Sequence, residues 1–158
     1  MFGLRVEIAF HALTLLILPL WILMIFLPKW EVSVRILRSP WSVAPIALAY
    51  VAVIAPQLAT LLPLVLDPQP GAQMAYLATP GGYLAIWAHV LALDLFAGRW
   101  VYLDGYTAGR SPWVMSPVLF CVMLLAPLGL LLHLALRAQA VRTRERRTPL
   151  RKSDPYPK

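Results

Sequence analysis

One stretch near the middle of the chain, HVLALDLFAGRWVYLD at residues 89–104, limits the possible folds more than any other. It lies in an apolar segment that predicts a membrane helix, yet it carries ionisable side chains five residues apart: His89, Asp94, Arg99 and Asp104. Five residues turn an α-helix by about 140°, so these side chains leave no face of the helix free of charge. An ionisable group at membrane depth costs roughly 2.5 kcal/mol or more unless it is paired or hydrated. We therefore expect other helices to surround this one.

The composition indicates an integral membrane protein. Of the 158 residues, 60% are hydrophobic and 13% are charged, whereas about a quarter of the residues in a soluble domain are charged. The formal net charge of +7 is concentrated in residues 137–158, which hold eight Lys and Arg against two acids. Such basic tails are membrane-surface anchors and topology signals, so we expect no nucleic-acid binding. Because Cys121 is the only cysteine, an intramolecular disulfide is excluded.

Apolar segments of about 20 residues, the length that crosses the hydrocarbon core, recur along the chain. They predict an all-α integral membrane protein in which residues 1–136 form a four-transmembrane-helix bundle. The predicted spans are residues 8–27, 43–66, 83–101 and 114–136. Pro56 and Pro127 lie inside the second and fourth spans, where proline removes a backbone hydrogen bond and kinks a helix. Residues 137–158 have too little apolar content to fold alone and predict a basic, disordered cytoplasmic tail.

The charges at the ends of the predicted spans disagree about orientation in the membrane. Four spans place both termini on one side, and the positive-inside rule makes the side of the basic tail cytoplasmic. Three basic side chains in the first loop favour the opposite orientation: Lys29, Arg35 and Arg38. We follow the tail and predict that both termini are cytoplasmic, with loops 28–40 and 102–112 outside. Apolar spacing in the first loop also predicts a short amphipathic helix on the membrane surface.

The ionisable residues within the predicted spans are compatible with three roles. They can form a buried ion-pair network that fixes how the helices pack, carry out proton transfer, or line a transport path. In proton transfer, a neutral Asp94 would donate a proton and His89, about 7.5 Å away along the helix axis, would act as the base. Arg99 would instead hold Asp94 ionised if these two side chains pair. Spacing alone does not choose among the three roles.

Three isolated histidines, His11, His89 and His133, fall in the same half of the membrane if the four spans alternate in direction. A single metal ion bound by them together with Glu7 or Asp94 is a weaker alternative. The chain lacks the HxxxH and HxxHH clusters that are typical of membrane-bound di-iron hydroxylases and desaturases. We therefore predict no metal and no cofactor.

The run WAHVLALDLFAGRWVYLDG, residues 87–105, resembles the signature helix of the abscisic-acid-deficient-four-like family. This family comprises small four-span membrane proteins of plant plastids, cyanobacteria and other bacteria. The resemblance extends from the first predicted span to Leu136, and its most specific positions are Trp87, His89, Asp94-Leu95-Phe96, Gly98-Arg99-Trp100 and Asp104. Plant members are implicated in making neoxanthin from violaxanthin, a reaction in which an epoxide opens and an allene forms. The resemblance therefore implies a carotenoid or similar isoprenoid lipid as the ligand.

The implied activity is a metal-free acid–base isomerisation of an epoxide. The candidate catalytic residues, which would supply an acid, a base and a cation that stabilises the oxygen, are His89, Asp94 and Arg99. The candidate substrate-binding residues are Trp87, Trp100 and Asp104. We expect the ligand groove beside the third span, between it and the kinked second and fourth spans. The alternative is a non-catalytic scaffold or helper subunit that binds a pigment or another membrane protein.

The expected location is the inner membrane of a bacterium. We expect no plastid transit peptide ahead of Met1, and the basic tail is typical of a bacterial inner-membrane protein. The expected partners are the carotenoid or isoprenoid lipid, membrane lipids at the basic tail and, for a helper subunit, another membrane protein.

Overall fold

The computed structural model describes residues 2–147, which form helices joined by short turns. The α-helices are α1 (Phe2–Phe26), α2 (Glu31–Arg38), α3 (Ala44–Ile54), α4 (Leu58–Leu66), α5 (Pro70–Leu77), α6 (Pro80–Thr107), α7 (Pro112–Leu124) and α8 (Ala126–Arg147). Two 3₁₀ turns, Pro40–Val43 and Ala55–Gln57, flank α3. Three stretches are long and apolar enough to cross a membrane: Arg5–Phe26, Pro40–Leu66 and Pro80–Thr107. The prediction of an all-α membrane protein is therefore confirmed for the described residues.

The helix α6 is the centre of the bundle, as the charges along it predict. α1, α3, α7 and α8 all pack against it. α1 runs parallel to α6, because Trp21 contacts Gly98 and, further along both helices, the Pro28 carbonyl accepts from the Tyr102 hydroxyl at 2.7 Å. The approach at Gly98 is so close that a Cβ there would overlap the Trp21 ring. Small residues of α6 thus allow its neighbours to pack tightly.

The kink predicted at Pro56 in the second span is confirmed. α3 ends directly before the 3₁₀ turn that contains this proline, and α4 begins directly after it. The Gln57 side chain donates to the Val53 carbonyl at 2.8 Å and accepts from the Tyr76 hydroxyl at 3.0 Å. Partial burial, with a smaller effect from Tyr50, raises the pKa of Tyr76, so the hydroxyl remains a neutral donor. Gln57 therefore satisfies the backbone at the kink and ties it to α5.

The predicted fourth span, residues 114–136, is where the structure differs most from the prediction. Two helices, α7 and α8, replace it, and they are separated at Leu125, whose backbone is not helical (φ −148°, ψ 78°). Pro127 lies in the first turn of α8, where its missing N–H is tolerated, but it cannot continue α7. Just beyond the turn the helices touch, since a Cβ on Gly129 would overlap the backbone of Val122. The break is a sharp reversal of direction, where we predicted a kink within one span.

Contacts with α6 establish this reversal. Near the start of α7, Met115 packs against Gly105. In α8, His133 bonds at 2.9 Å to Asp104, the neighbouring residue of α6. In one continuous helix the 18 residues from Met115 to His133 would extend about 27 Å. α7 and α8 therefore form a re-entrant hairpin, which enters the bundle at one end of α6 and returns to the same end.

The hairpin reaches only about halfway along α6. α7 has 13 residues and is about 20 Å long. Because it starts beside the end of α6 at Thr107, its tip lies near the depth of Leu95. Counting back along α8 from the contact between His133 and Asp104 gives the same depth to within about one turn.

The reversal gathers basic side chains at one end of the bundle. This basic end carries Lys29, Arg35, Arg38, Arg110 and Arg137. The described N-terminal end of α1 and C-terminal end of α8 lie at opposite ends of α6, whereas we predicted both termini on one side. α8 also continues to Arg147, so residues 137–147 are helical where we predicted a disordered tail. Residues 148–158 lie outside the described part of the chain.

Reporter fusions test the reversal without reference to the absolute orientation. A compartment-sensitive reporter inserted at Lys29 and one fused after Lys158 should report the same compartment, because α8 returns to the end of α6 that carries the first loop. A reporter at Asp67, in the turn between α4 and α5, should report the opposite compartment and serves as the control. Opposite compartments for the Lys29 and Lys158 fusions would restore a continuous fourth span.

Candidate functional site

The six residues singled out by the sequence all lie on α6, but they contact different neighbours. α6 begins at a side-chain cap, in which the Thr79 hydroxyl accepts from the Gly82 N–H at 3.0 Å, with Pro80 as its first residue. It continues without interruption for 28 residues. Residues five apart on such a helix point about 140° away from each other. The predicted site is therefore distributed around the helix.

Trp87 and His89 lie against different helices. The Trp87 indole N–H donates to the Thr14 hydroxyl at 3.3 Å, and its ring stacks on Phe10 with centroids 4.8 Å apart. Trp87 is thereby fixed against α1. His89 is exposed and lies beside Tyr50 of α3, at 5.5 Å between ring centroids.

Arg99 binds the end of α2. Its Nε donates to the Leu37 carbonyl at 2.8 Å, and its Nη2 donates to the Arg38 carbonyl at 3.1 Å. These carbonyls belong to the last turn of α2, where backbone acceptors lack partners and the helix dipole favours a cation. No ion pair joins Arg99 to Asp94 within the described residues, so the alternative in which Arg99 holds Asp94 ionised is not what the structure contains.

Asp104 joins α6 to α8. Its Oδ2 accepts from Nε2 of His133 at 2.9 Å, and its Oδ1 lies 3.2 Å from Nη1 of Arg137. His133 has 0% exposure, and the ring of Trp100 packs edge-on against it at 5.3 Å between centroids. Asp104 and Trp100, predicted as substrate-binding residues, therefore surround a buried histidine of α8.

His133 and Arg137 are the partners that the sequence analysis missed. A signal was present, because residues four apart lie on one face of a helix and can both reach one carboxylate. The predicted fourth span hid it by placing His133 in the same half of the membrane as His89. In the structure the two histidines lie about 22 Å apart along α6, the rise of the 15 residues between His89 and Asp104. Among the described residues, no three His, Cys, Asp or Glu side chains form a group that could hold a metal ion.

Asp94 differs from Arg99 and Asp104 because its side chain has no hydrogen-bond or ion-pair partner among the described residues; His89 has none either, but it is exposed. Asp94 is half-buried in the middle of α6, and it makes no side-chain hydrogen bond or ion pair within residues 2–147. Around the axis of α6, Asp94 is rotated by about 20° from Trp87, which faces α1, and by about 80° from Asp104, which faces α8. It therefore lies between the α1 and α8 sides of α6, at the depth of the hairpin tip.

On the side of α6 that carries Asp104, the hairpin covers the C-terminal half of the helix and leaves the N-terminal half open. Ile86 lies five turns before Asp104 on the same side and is 42% exposed, and Leu93 is 54% exposed. Val101, beyond the tip and under the hairpin, is fully buried. We call this open surface the recess. It lies beside Asp94 and runs from the hairpin tip at Leu125 towards the start of α6. Its side chains face the membrane interior, so it is accessible to lipid.

The predicted groove between α6 and the second span corresponds only to a small cavity. This cavity has a volume of about 260 Å³ and lies between α1 and α3, where Leu95 of α6 closes it. None of the six candidate residues lines it, nor do they line the larger cavities at the basic end. The recess is therefore an exposed surface of α6 beside Asp94, while His89 and Trp100 are exposed elsewhere on the helix.

The fold and the site define an all-α membrane protein with a carboxyl group at mid-membrane depth that has no partner within the described part of the chain. A sequence model described as ABA DEFICIENT 4-like matches residues 8–133. The chain belongs to this family, which confirms the resemblance seen in its signature helix. The matched region contains the six candidate residues and ends at His133. Searches of curated proteins and of solved structures found no match.

The contact between Asp104 and His133 should stabilise the fold measurably. Asp104→Ala and His133→Ala should each lower the free energy of unfolding in detergent by about 2 kcal/mol, since each removes a hydrogen bond to a charged group and leaves a polar partner behind. Because both changes break one interaction, the double variant should lose at least about 1 kcal/mol less than the sum.

Asp67→Ala is the matched control, because this exposed carboxylate bonds only to the neighbouring Gln69 in the described structure. It should change the free energy of unfolding by less than about 0.5 kcal/mol. Strict additivity of the Asp104 and His133 changes would contradict the contact.

Proposed function

We propose that this protein binds a carotenoid or another elongated isoprenoid lipid in the recess and isomerises it, with Asp94 as the acid–base residue. One observation carries the proposal: Asp94 is a carboxyl group at mid-membrane depth without a partner in residues 2–147, beside a surface that the hairpin leaves open to lipid. Membership of the ABA DEFICIENT 4-like family supports a ligand of this class, since plant relatives are implicated in neoxanthin synthesis.

The membrane surroundings favour the protonated form of Asp94. Burial of a charge without a partner in an apolar medium is costly, so a carboxyl in this position is held uncharged. An uncharged carboxyl is a proton donor, and after donation it becomes a base in a medium where that charge is unfavourable. One side chain can therefore supply both proton transfers of an isomerisation.

For an epoxy-carotenoid the steps balance without a redox partner. The Asp94 carboxyl protonates the epoxide oxygen as the bond from this oxygen to the ring carbon bearing the polyene chain breaks. The carboxylate then accepts the proton of the adjacent vinylic carbon, whose C–H electron pair completes the allene. Asp94 is again protonated, and the product is an isomer of the substrate. The two oxygens of one carboxyl can reach both positions because the epoxide and the vinylic proton are neighbours.

The other predicted residues have different roles in this proposal. Trp87 lies two turns from Asp94 on nearly the same side of α6 and would flank the apolar chain of the ligand. His89 lies about 140° around the helix from Asp94, beside Tyr50, so it is not the base for the same substrate atom. Arg99 positions α2 and does not face the recess.

A non-catalytic scaffold or helper subunit is the second candidate function. The observation that favours it is that Arg99 and Asp104 both join helices to one another, as groups in a packing network do. In this case Asp94 would be the contact for a polar group on a pigment or on another membrane protein.

The proposed location is a bacterial inner membrane with the basic end facing the cytoplasm. The positive-inside rule favours this orientation, because the first-loop residues Lys29, Arg35 and Arg38 and the basic part of α8 lie at the same end of the bundle. The C-terminal end of α8 is then cytoplasmic and the N-terminal end of α1 is outside.

Pigment analysis in a bacterial host that accumulates violaxanthin tests the proposed activity. The wild-type protein should convert it to an allenic isomer of the same mass. Asp94→Asn should lose about 10²-fold or more of the rate, because proton transfer typically contributes 10²–10⁴-fold, while Asp94→Glu should keep part of it. Purified Asp94→Asn should still bind the carotenoid with little loss of affinity.

Glu7→Gln serves as the matched control, since it removes an exposed carboxyl near the start of α1, and it should leave conversion unchanged. Full conversion by Asp94→Asn at equal membrane abundance would exclude Asp94 as the acid. A wild-type protein that binds violaxanthin without converting it would favour the scaffold or helper function.

A further inference from the structure

Two cavities meet at the basic end, on the side of the bundle formed by α1 and α7. The first has a volume of about 580 Å³, and polar side chains line it, including Lys29, Tyr106, Arg110 and Ser111. The second has a volume of about 620 Å³ and lies between α1 and α7. Pro28 and Pro112 line both cavities, so the two lie side by side. We call them the head cavity and the tail groove.

The head cavity is positively charged. Lys29 and Arg110 line it, and among residues 2–147 no acidic side chain does so. The Nε of Arg110 is buried without a hydrogen-bond partner among the residues that the structure describes, and such a donor is costly unless something binds it. α7 begins at Pro112 on the cavity wall, so the positive end of its dipole adds to the field of the two cations.

The tail groove is apolar and open to the membrane. Its aromatic side chains are exposed, with Trp113 at 90% and Phe26 at 72%. Its one hydroxyl, that of Ser116, already donates to the Ile25 carbonyl at 2.7 Å and is not free for a ligand. Phe120 lies seven residues beyond Trp113, about 10 Å deeper, so the groove runs from the basic end towards the middle of the membrane.

We propose that this composite site binds a lipid with a phosphate headgroup, such as an anionic phospholipid. The headgroup occupies the head cavity against Lys29 and Arg110, and one hydrocarbon chain lies in the tail groove. Charge complementarity selects the headgroup, since the described lining of the cavity offers two cations and no acid. The bound lipid bridges α1 and α7 and so holds the hairpin against the bundle. This site is separate from the recess and does not depend on the proposed reaction at Asp94.

Lipid binding to the full-length protein in a nonionic detergent tests the site. Phosphatidylglycerol should bind at least about tenfold more tightly than phosphatidylcholine, whose headgroup carries no net charge. Arg110→Gln should weaken phosphatidylglycerol binding about tenfold, the effect of one charge-assisted hydrogen bond. Arg142→Gln, which removes an exposed arginine of α8 at the same end, should weaken it less than about twofold.

Inorganic phosphate distinguishes an ion site from a lipid site. It should displace phosphatidylglycerol only at concentrations far above that of the lipid, because it makes no contact in the tail groove. Full competition at matched concentrations would overturn the amphiphile and leave an ion site alone. Equal binding of both phospholipids, or equal effects of the Arg110 and Arg142 changes, would reduce the site to general attraction by the basic end.

A measurement on the folded wild-type protein covers the case in which Arg110→Gln does not fold. Phosphatidylglycerol with a brominated chain should quench tryptophan fluorescence more strongly than brominated phosphatidylcholine. Trp113→Phe should remove this difference, because Trp113 lines the tail groove. Quenching that is the same for the two lipids, or that survives Trp113→Phe unchanged, would overturn the proposed site.

Discussion

The contact of Asp104 with His133 and Arg137 fixes the architecture of the bundle. A carboxylate near the end of a membrane helix requires partners, and α8 supplies a buried histidine and an arginine one turn apart. These partners reach Asp104 only if the chain reverses after α7, which the non-helical backbone at Leu125 allows. The pairing of the Asp104 carboxylate thus depends on the path of α8, a helix of 22 residues.

The reversal makes the two halves of α6 unequal. Towards the basic end, α7 and α8 cover it and bury Val101 completely. Towards the other end the same side of the helix is open, and Asp94 lies at the boundary between the two halves. A continuous fourth helix would have packed along the whole length of α6 and covered Asp94. The recess, on which the proposed function rests, is therefore a consequence of the contact at Asp104.

Local sequence signals were sufficient for much of this fold. Apolar segments of membrane-spanning length and the charges on α6 predicted a helical membrane protein with α6 at its centre, and Pro56 marked the break in the second span. Pro127, like Pro56, predicts only a kink from the local sequence. The chain nevertheless reverses near Pro127, because α8 contacts Asp104, a residue distant in sequence. The role of Arg99 was equally hidden, since its partners are backbone carbonyls of α2 that have no side-chain signature. Asp94 was found as a candidate from its depth alone, but its lack of a partner among the residues that the structure describes depends on where the hairpin ends.

The distance between the C-terminal end of α6 and the C-terminal part of α8 tests the re-entrant fold most directly. In a Cys121→Ser background, spin labels can be placed at Tyr106 and Arg142, which are exposed residues of α6 and α8. Arg142 lies five residues, about 8 Å, beyond the contact of Arg137 with Asp104, so the account predicts a separation below about 25 Å. In a continuous fourth helix the 30 residues from Pro112 to Arg142 would extend about 45 Å, and a measured separation above about 40 Å would contradict the hairpin.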